Sequence, residues 1–182
     1  MADSTTRGAA RVATFAALPI AVVVGLVTFW WLRDHGTAAP ARPRPQATTP
    51  VTVAAAPLDA KATAACRDLV AKLPPDAVRD RPRRPVTTGP WQNAAYGDPA
   101  ITLACGAAPV TLPVGAEVFV LSGVCWYPAS DGTATVWTTV DRDTPVRVSV
   151  PKSYDAPGQW VIEFSAPINA TLPRSAAAPS GC

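Results

Sequence analysis

The chain has 182 residues, enough for one ordinary domain together with a targeting segment. Its formal net charge of +3 resides in residues 1–57, because from Leu58 onward eleven Lys and Arg balance eleven Asp and Glu. A neutral domain lacks the basic surface typical of proteins that bind nucleic acid, so we expect no nucleic-acid partner.

The most apolar part of the sequence is residues 12–32, a run of 21 residues without a charged side chain. A helix of this length spans about 30 Å, the thickness of the hydrocarbon core of a bilayer. Phe29, Trp30 and Trp31 at its end are typical of a membrane interface. The run predicts a transmembrane signal-anchor helix, preceded by a cytoplasmic tail of residues 1–11.

The flanking arginines are nearly balanced between the two ends of this run and do not fix its orientation. The short N-terminal tail favours export of the C-terminal part. An apolar region of this length is typical of an uncleaved anchor, whereas Ala39-Pro40-Ala41 has the small residues of a cleavage site. We expect the anchor to be retained, with a cleaved, secreted protein as the alternative.

Residues 33–57 are rich in Pro and Ala and show no apolar periodicity, which predicts a linker. The linker is either an extended polyproline spacer or a disordered segment. A domain of residues 58–174 follows, with a C-terminal tail of residues 175–182.

The domain begins with a predicted helix, since apolar residues recur there at steps of three and four. Asp59 is a suitable N-cap and Pro74-Pro75 would end the helix. Residues 76–98 carry many charges and prolines with little pattern, which predicts a long loop.

Short β-like runs come next: residues 100–104, 117–121, 124–127, 133–140 and 145–150. Turn residues at 131–132 and 141–145 would join the last three as an antiparallel meander. In the last run valines alternate with Arg147 and Ser149, so we expect one face of that strand to meet water. Residues 158–170 fit a helix or a strand, and the apolar spacing favours the helix despite Pro167. The predicted class is α+β, an antiparallel meander sheet flanked by one or two helices.

Four cysteines, Cys66, Cys105, Cys125 and Cys182, lie beyond the predicted anchor. An even number in a small exported domain predicts two disulfide bonds, for which three connectivities exist. A helix packed on the sheet would bring Cys66 to Cys105, and a terminal tail is free to carry Cys182 to Cys125. We therefore expect these two pairs.

The predicted domain lacks the residues that several kinds of metal or catalytic site require. The cysteines are too widely spaced for a zinc site, no Cys-x-x-Cys motif is present, and the single histidine, His35, lies outside the domain. We identify no catalytic residue, no metal ligand and no cofactor. A histidine-free enzyme would have to use carboxylates such as Asp98, Asp141 or Asp143.

Two features suggest a binding surface. The arginine-rich residues 79–84 suit phosphate headgroups or an anionic envelope polymer, although a solvated loop has the same composition. The many aromatic residues suit either a groove or the core. The candidate surface residues are Arg81, Arg83, Arg84, Trp91, Tyr96 and Arg142.

Five motifs occur in order: C-R-D-L-V-A-K-L-P, R-P-R-R, A-A-Y-G-D-P-A-I-T-L-A-C-G, G-V-C-W and V-R-V-S-V-P. In these motifs the chain resembles, over residues 12–173, the actinobacterial membrane proteins grouped as domain of unknown function 3515. The resemblance implies a single-pass protein of the cell membrane with its domain outside the cytoplasm. It also matches Cys66 and Cys105 to the cysteine pair of that family.

The chain departs from the family pattern at two positions. Tyr96 replaces a usual tryptophan, and Cys125 stands where the family has another residue, which implies that the second disulfide is an addition. The resemblance to this family implies a membrane topology for the chain but no activity.

We expect a non-catalytic interaction module of the cell envelope, held in the membrane by residues 12–32, whose partner is an envelope protein or a wall precursor. The alternatives are a histidine-free, hydrolase-like wall enzyme and a cleaved secreted protein.

Overall fold

The computed structural model describes residues 21–31, 33 and 47–182. Residues 21–31 are helical and belong to a unit of residues 1–45, distinct from the unit Gln46–Cys182 that contains the sheet. Among the described residues no helix is both long enough and apolar enough to cross a bilayer. The predicted cytoplasmic tail and the first part of the predicted anchor lie outside the described residues.

The unit Gln46–Cys182 is built from eight strands and two helices. Helix α1 (Ala60–Lys72) precedes the strands and helix α2 (Pro157–Thr171) follows them. The strands are β1 (Ala77–Val78), β2 (Arg81–Arg84), β3 (Asn93–Tyr96), β4 (Ile101–Cys105), β5 (Phe119–Leu121), β6 (Val124–Ser130), β7 (Ala134–Thr139) and β8 (Val146–Pro151). The α+β class predicted from the sequence is confirmed.

The sheet is antiparallel throughout, with the strand order β1-β2-β3-β4-β8-β7-β6-β5. It consists of two four-stranded meanders that meet where β4 pairs with β8. The predicted meander is the second of these, and residues 106–118 connect the two.

The core lies between the two helices and one face of the sheet, called here the inner face. Alternate residues of β4 and β8 point into this core: Ile101, Leu103, Cys105, Val146, Val148 and Val150. Because side chains alternate along a strand, the residues between them point to the opposite, outer face of the sheet. The outer face is not covered by a helix of the described chain.

Both helices begin and end where local chemistry requires it. The Asp59 side chain accepts a hydrogen bond from the N–H of Ala62 at 2.7 Å, and α1 ends before Pro74. Helix α2 starts with Pro157 at a position where the missing N–H costs nothing. It continues through Pro167 and buries Trp160, Phe164 and Ile168, so the helix predicted near residues 158–170 is confirmed.

The long loop predicted for residues 76–98 is wrong, because that region contains β1, β2 and β3. All four residues of β3 are buried, and β3 pairs with β2 on one side and β4 on the other. Strand β2 is four residues long, three of them arginine, and its guanidinium groups stack on aromatic rings of other elements. Such contacts are distant in sequence and leave no periodic signal.

Residues 47–57, predicted to be linker, lie against the sheet in the structure. Val51 forms a parallel bridge with Val86, and Arg84 donates to the Thr49 carbonyl at 2.7 Å. The Asn93 amide donates to the carbonyls of Val53 and Ala54 at 3.3 Å each. The compact unit therefore starts about twelve residues before the predicted boundary at Leu58.

The predicted C-terminal tail is tied to the domain. The N–H of Ser175 donates to the Asp141 carbonyl at 2.9 Å, and Arg174 donates to the carbonyl of Cys182. A disulfide joins Cys182 to Cys125 on β6. The last eight residues thus belong to the fold.

Candidate functional site

The arginines of residues 79–84 hold elements of the fold together. Arg79 pairs with Glu163 of α2 at 2.9 Å and lies 5.2 Å from the centre of the Trp160 ring. Arg81 lies over the rings of Tyr154 and Trp160. These contacts connect the first meander to α2.

The next two arginines contact the backbone. Arg83 donates to the Pro74 carbonyl at 3.3 Å, and Arg84 donates to the carbonyls of Thr49 and Gly97. Arg84 also pairs with Asp98 at 3.7 Å. Because these guanidinium groups already have partners, Arg81, Arg83 and Arg84 do not form a free anion-binding patch.

Two of the predicted surface residues are buried. Tyr96 has no exposed surface, and its hydroxyl donates to the Pro74 carbonyl at 2.8 Å. Burial raises the pKa of Tyr96 to about 12, although the charge of Arg83 acts against it. Arg142 is 5% exposed and donates to Gly123 and Asn169, so neither residue can take part in a surface site. The Tyr96 ring belongs to the hydrophobic core.

Trp91 is half-buried, with the guanidinium of Arg67 at 5.7 Å from its ring centre. This contact joins α1 to the segment before β3. The six predicted surface residues are therefore spread over the edge of the sheet, the core and the far hairpin, and the structure does not bring them together.

The carboxylates of the enzyme alternative are also dispersed among ion pairs. Asp143 pairs with Lys61 at 3.6 Å, while Asp98 pairs with Arg84. Asp141 is 1% exposed and lies 3.6 Å from Arg142, and neither of its carboxylate oxygens accepts a hydrogen bond within the described residues. No group of three or more potential metal-binding side chains occurs in the described part of the chain.

The four cysteines form two disulfides, Cys66–Cys105 and Cys125–Cys182. These are the pairs expected from the sequence. Cys105 lies on the inner face, where it joins β4 to α1, whereas Cys125 alternates with the core residues Val124 and Trp126 and points to the outer face. The bonds therefore fix a helix to one face of the sheet and the C-terminus to the other.

The described residues form a trough on the outer face of the sheet, with a volume of about 470 Å³. Its floor consists of small residues around one cation: Thr102 and Ala104 of β4, Arg147 and Ser149 of β8, and Val136 of β7. Residues 52–56 form one wall, and residues 106–108 close one end. We call this site the outer-face trough.

Strand register fixes the arrangement of the floor. Ser149 pairs with Thr102 and Val136, and Arg147 pairs with Ala104 and Thr138. Directly paired residues point to the same face, so the floor has two rows, and Arg147 is the one long side chain in them. A large residue at Thr102 or Ala104 would fill the trough.

The wall is held in place by two buried amides. Asn93 pairs with Ala104 and donates to Val53 and Ala54, and Gln92 donates to the carbonyls of Ala56 and Cys105 at 3.2 and 3.4 Å. Both side chains are 1% exposed, and the side-chain oxygen of each accepts no hydrogen bond within the described residues. These two oxygens are unpaired acceptors next to the trough.

The charges along the trough are few. The Arg147 side chain is exposed and makes no hydrogen bond or ion pair in the part of the chain that the structure describes. A second depression of about 490 Å³ shares Thr102, Asp131 and Ser149 with the trough and extends it to Lys152. The carboxylate of Asp131 accepts from Thr133 and Ala134, which lowers its pKa. A cation thus lies at each end, with one carboxylate between them.

Sequence reasoning missed this site, although one signal for it was present. The alternation of Val with Arg147 and Ser149 predicts an outward face but cannot show that residues 52–56 form a wall beside it. Gln92 and Asn93, which position that wall, lie in the region predicted to be a loop.

The comparisons with known proteins identify a family and no close relative. No curated protein and no solved structure is significantly similar to the chain. The family described as protein of unknown function, DUF3515, matches residues 16–177, which is most of the chain. This match confirms the resemblance seen in the sequence motifs, and the chain therefore belongs to the DUF3515 family.

Proposed function

We propose that the protein is a binding module of the cell envelope, anchored in the membrane by residues 12–32, with the unit Gln46–Cys182 outside the cytoplasm. The observation that carries the proposal is the outer-face trough: a concave site on the helix-free face of the sheet, with an unpaired cation on its floor. Concave sites of this volume with a few convergent polar groups are typical of ligand binding.

The proposed location rests on the cysteines and on the apolar run. Two disulfides in a small domain are typical of proteins folded in an oxidising compartment. The 21 uncharged residues before the domain have the length of a bilayer-spanning helix. Export of the C-terminal part satisfies both features.

Binding is favoured over catalysis because the carboxylates that an enzyme would use are separated from the trough. Asp98 and Asp143 pair with cations elsewhere, and Asp141 is buried. Asp131 lines the trough, but its oxygens accept hydrogen bonds from the adjacent turn. A general acid or base must lie within hydrogen-bond reach of the reacting group.

The proposal is tested by cross-linking from the trough in native membranes. A photoreactive amino acid replaces Ser149 on the trough floor of the full chain, and the matched control places it at Gln159, an exposed position on α2. We expect a cross-linked partner or ligand from position 149 and none of the same mass from position 159. Equal products from both positions, or none from either, would contradict binding through the trough.

A direct assay separates binding from catalysis. The purified full chain is incubated with wall fragments, and their release is followed by mass spectrometry. We expect no hydrolysis. Cleavage that is lost in Asp98→Ala, Asp141→Ala or Asp143→Ala, with the fold retained, would establish the enzyme alternative instead.

A further inference from the structure

We propose that the outer-face trough binds a short extended peptide with a free C-terminal carboxylate, which lies along residues 52–56 and places that carboxylate on Arg147. This inference names the ligand class of the proposed binding module and rests on that function. Three features of the trough carry it: an open backbone edge, the position of the cation and the size of the floor residues.

The backbone edge is provided by residues 52–56, which contain no helix or turn. Val51 uses its N–H and C=O on Pro85 and Thr87, at 2.8 and 3.0 Å. In a strand-like backbone the next residue presents its polar groups to the opposite edge. The N–H groups of Thr52 and Ala54 make no hydrogen bond within the described residues, and both residues line the trough; the Ala54 carbonyl accepts from Asn93.

An exposed edge of this kind is a template for an added strand. In β-strand addition the main-chain hydrogen bonds of the peptide provide affinity, and pockets for alternate side chains provide specificity. Here the peptide would lie between the wall and the β8 floor.

The position of the cation sets the direction of the peptide. Arg147 pairs with Ala104, the residue before Cys105. The Gln92 side-chain amide donates to the carbonyls of both Cys105 and Ala56. Ala104 also pairs with Asn93, which bonds Val53 and Ala54, so of the two floor rows the Arg147 row is the one nearer to the Ala56 end of the wall. A planar guanidinium forms two parallel hydrogen bonds with a carboxylate, so the peptide would run in the same direction as residues 52–56.

The size of the floor limits the side chains of the ligand. From Arg147 to Pro151 the trough and the second depression beside it extend about 13 Å, enough for roughly four residues in an extended conformation. Thr102, Ala104 and Ser149 are half-buried small residues that leave room for methyl-sized side chains above them. We therefore expect a preference for alanine-like residues.

The test uses the full chain in detergent, titrated by calorimetry with tetraalanine and with tetraalanine amide. We expect the free acid to bind at least about tenfold more tightly than the amide, because a charge-assisted hydrogen bond is lost in the amide. In Arg147→Gln this preference disappears, because the free acid loses more affinity than the amide does. The matched control is Lys72→Gln, at an exposed position of α1, and we expect it to retain the preference for the free acid.

Strand pairing is tested separately with tetraalanine peptides that carry one N-methyl group at each position in turn. Because alternate N–H groups of an added strand face the wall, methylation should weaken binding at every second position. Equal tolerance at all positions, or an acid and amide of equal affinity, would overturn the inference. If cross-links from Ser149 persist but neither peptide binds, the ligand class is wrong and the proposed binding function stands. A cross-link from Ser149 to another part of the same chain would also overturn the peptide assignment.

Discussion

At the scale of single residues, arginines of the same chain take two different roles. Arg79, Arg81 and Arg83 stack on aromatic rings at 5.2 to 5.8 Å, and Arg84 donates to backbone carbonyls. Arg147 has no such partner within the described residues. Sequence composition alone predicts a binding site at the clustered arginines of residues 79–84. The contacts in the structure instead leave the side chain of Arg147 free to bind a ligand.

Tyr96 gives a prediction about pH. Burial raises its pKa from 10.0 to about 12, so the folded state favours the neutral phenol. The stability that this provides is complete below about pH 10 and is lost as the pH rises towards 12. Burial also raises the pKa of Tyr154, which contributes in the same direction.

The measurement is urea unfolding between pH 9 and about 11.5. We expect the free energy of unfolding to fall over this range in the native chain and less steeply in Tyr96→Phe. At neutral pH the same variant should lose about 0.5–1.5 kcal/mol, for the bond to Pro74. Tyr127→Phe, a half-buried control on β6, should keep the native slope. A Tyr96→Phe slope equal to the native one would refute this explanation.

At the scale of elements, the sequence predicts those whose pattern is local. Helix α1 has an N-cap, an apolar face and a terminating proline pair, and β8 alternates cleanly. Strands β1 to β3 have no such pattern, because β2 is stabilised by guanidinium stacking and β3 is buried on both faces. Their existence depends on residues far away in the sequence, which a pattern search does not detect.

The Cys66–Cys105 bond gives a prediction at this scale, since it joins α1 to β4 across 39 residues. Closing a loop of this length contributes about 4 kcal/mol in the chain-entropy description. We expect Cys66→Ala with Cys105→Ala to lower the free energy of unfolding by about that amount. Hydrogen exchange should accelerate in α1 more than in β6 and β7.

The matched comparison is Cys125→Ala with Cys182→Ala, which should instead accelerate exchange in residues 175–182 and their neighbours on β6. If removing either bond affected the same residues, or if the first pair cost less than about 1 kcal/mol, the two bonds would not hold separate elements in the way proposed.

At the scale of the whole molecule, the outer-face trough depends on residues that the sequence places in different segments. Its floor comes from two meanders and its wall from residues predicted to be linker. The alternation around Arg147 can be seen in the sequence, and the proposed compartment rests on the cysteine count and the apolar run. The wall could not be predicted from the sequence, because Gln92 and Asn93 hold it through hydrogen bonds to residues about 36 to 40 positions away in the sequence.

This organisation predicts where the domain can be shortened. A chain that starts at Gln46 keeps the wall, whereas one that starts at Leu58 loses the six hydrogen bonds that the side chains of Arg84, Gln92 and Asn93 donate to residues 49–56. At about 1 kcal/mol each, the shorter chain should be less stable by about 6 kcal/mol. Urea unfolding of the two chains measures the difference. Equal stability would show that residues 46–57 are linker, as their composition indicates.

The measurement that tests the central claim most directly is disulfide mapping of the full chain extracted from its native membranes, by mass spectrometry of peptides produced without reduction. A binding module outside the cytoplasm predicts that Cys66 is recovered linked to Cys105, and Cys125 linked to Cys182. Recovery of the four cysteines as free thiols would contradict the proposed location. The domain would then face a reducing compartment, and the assignment of the trough to an envelope ligand would fail with it.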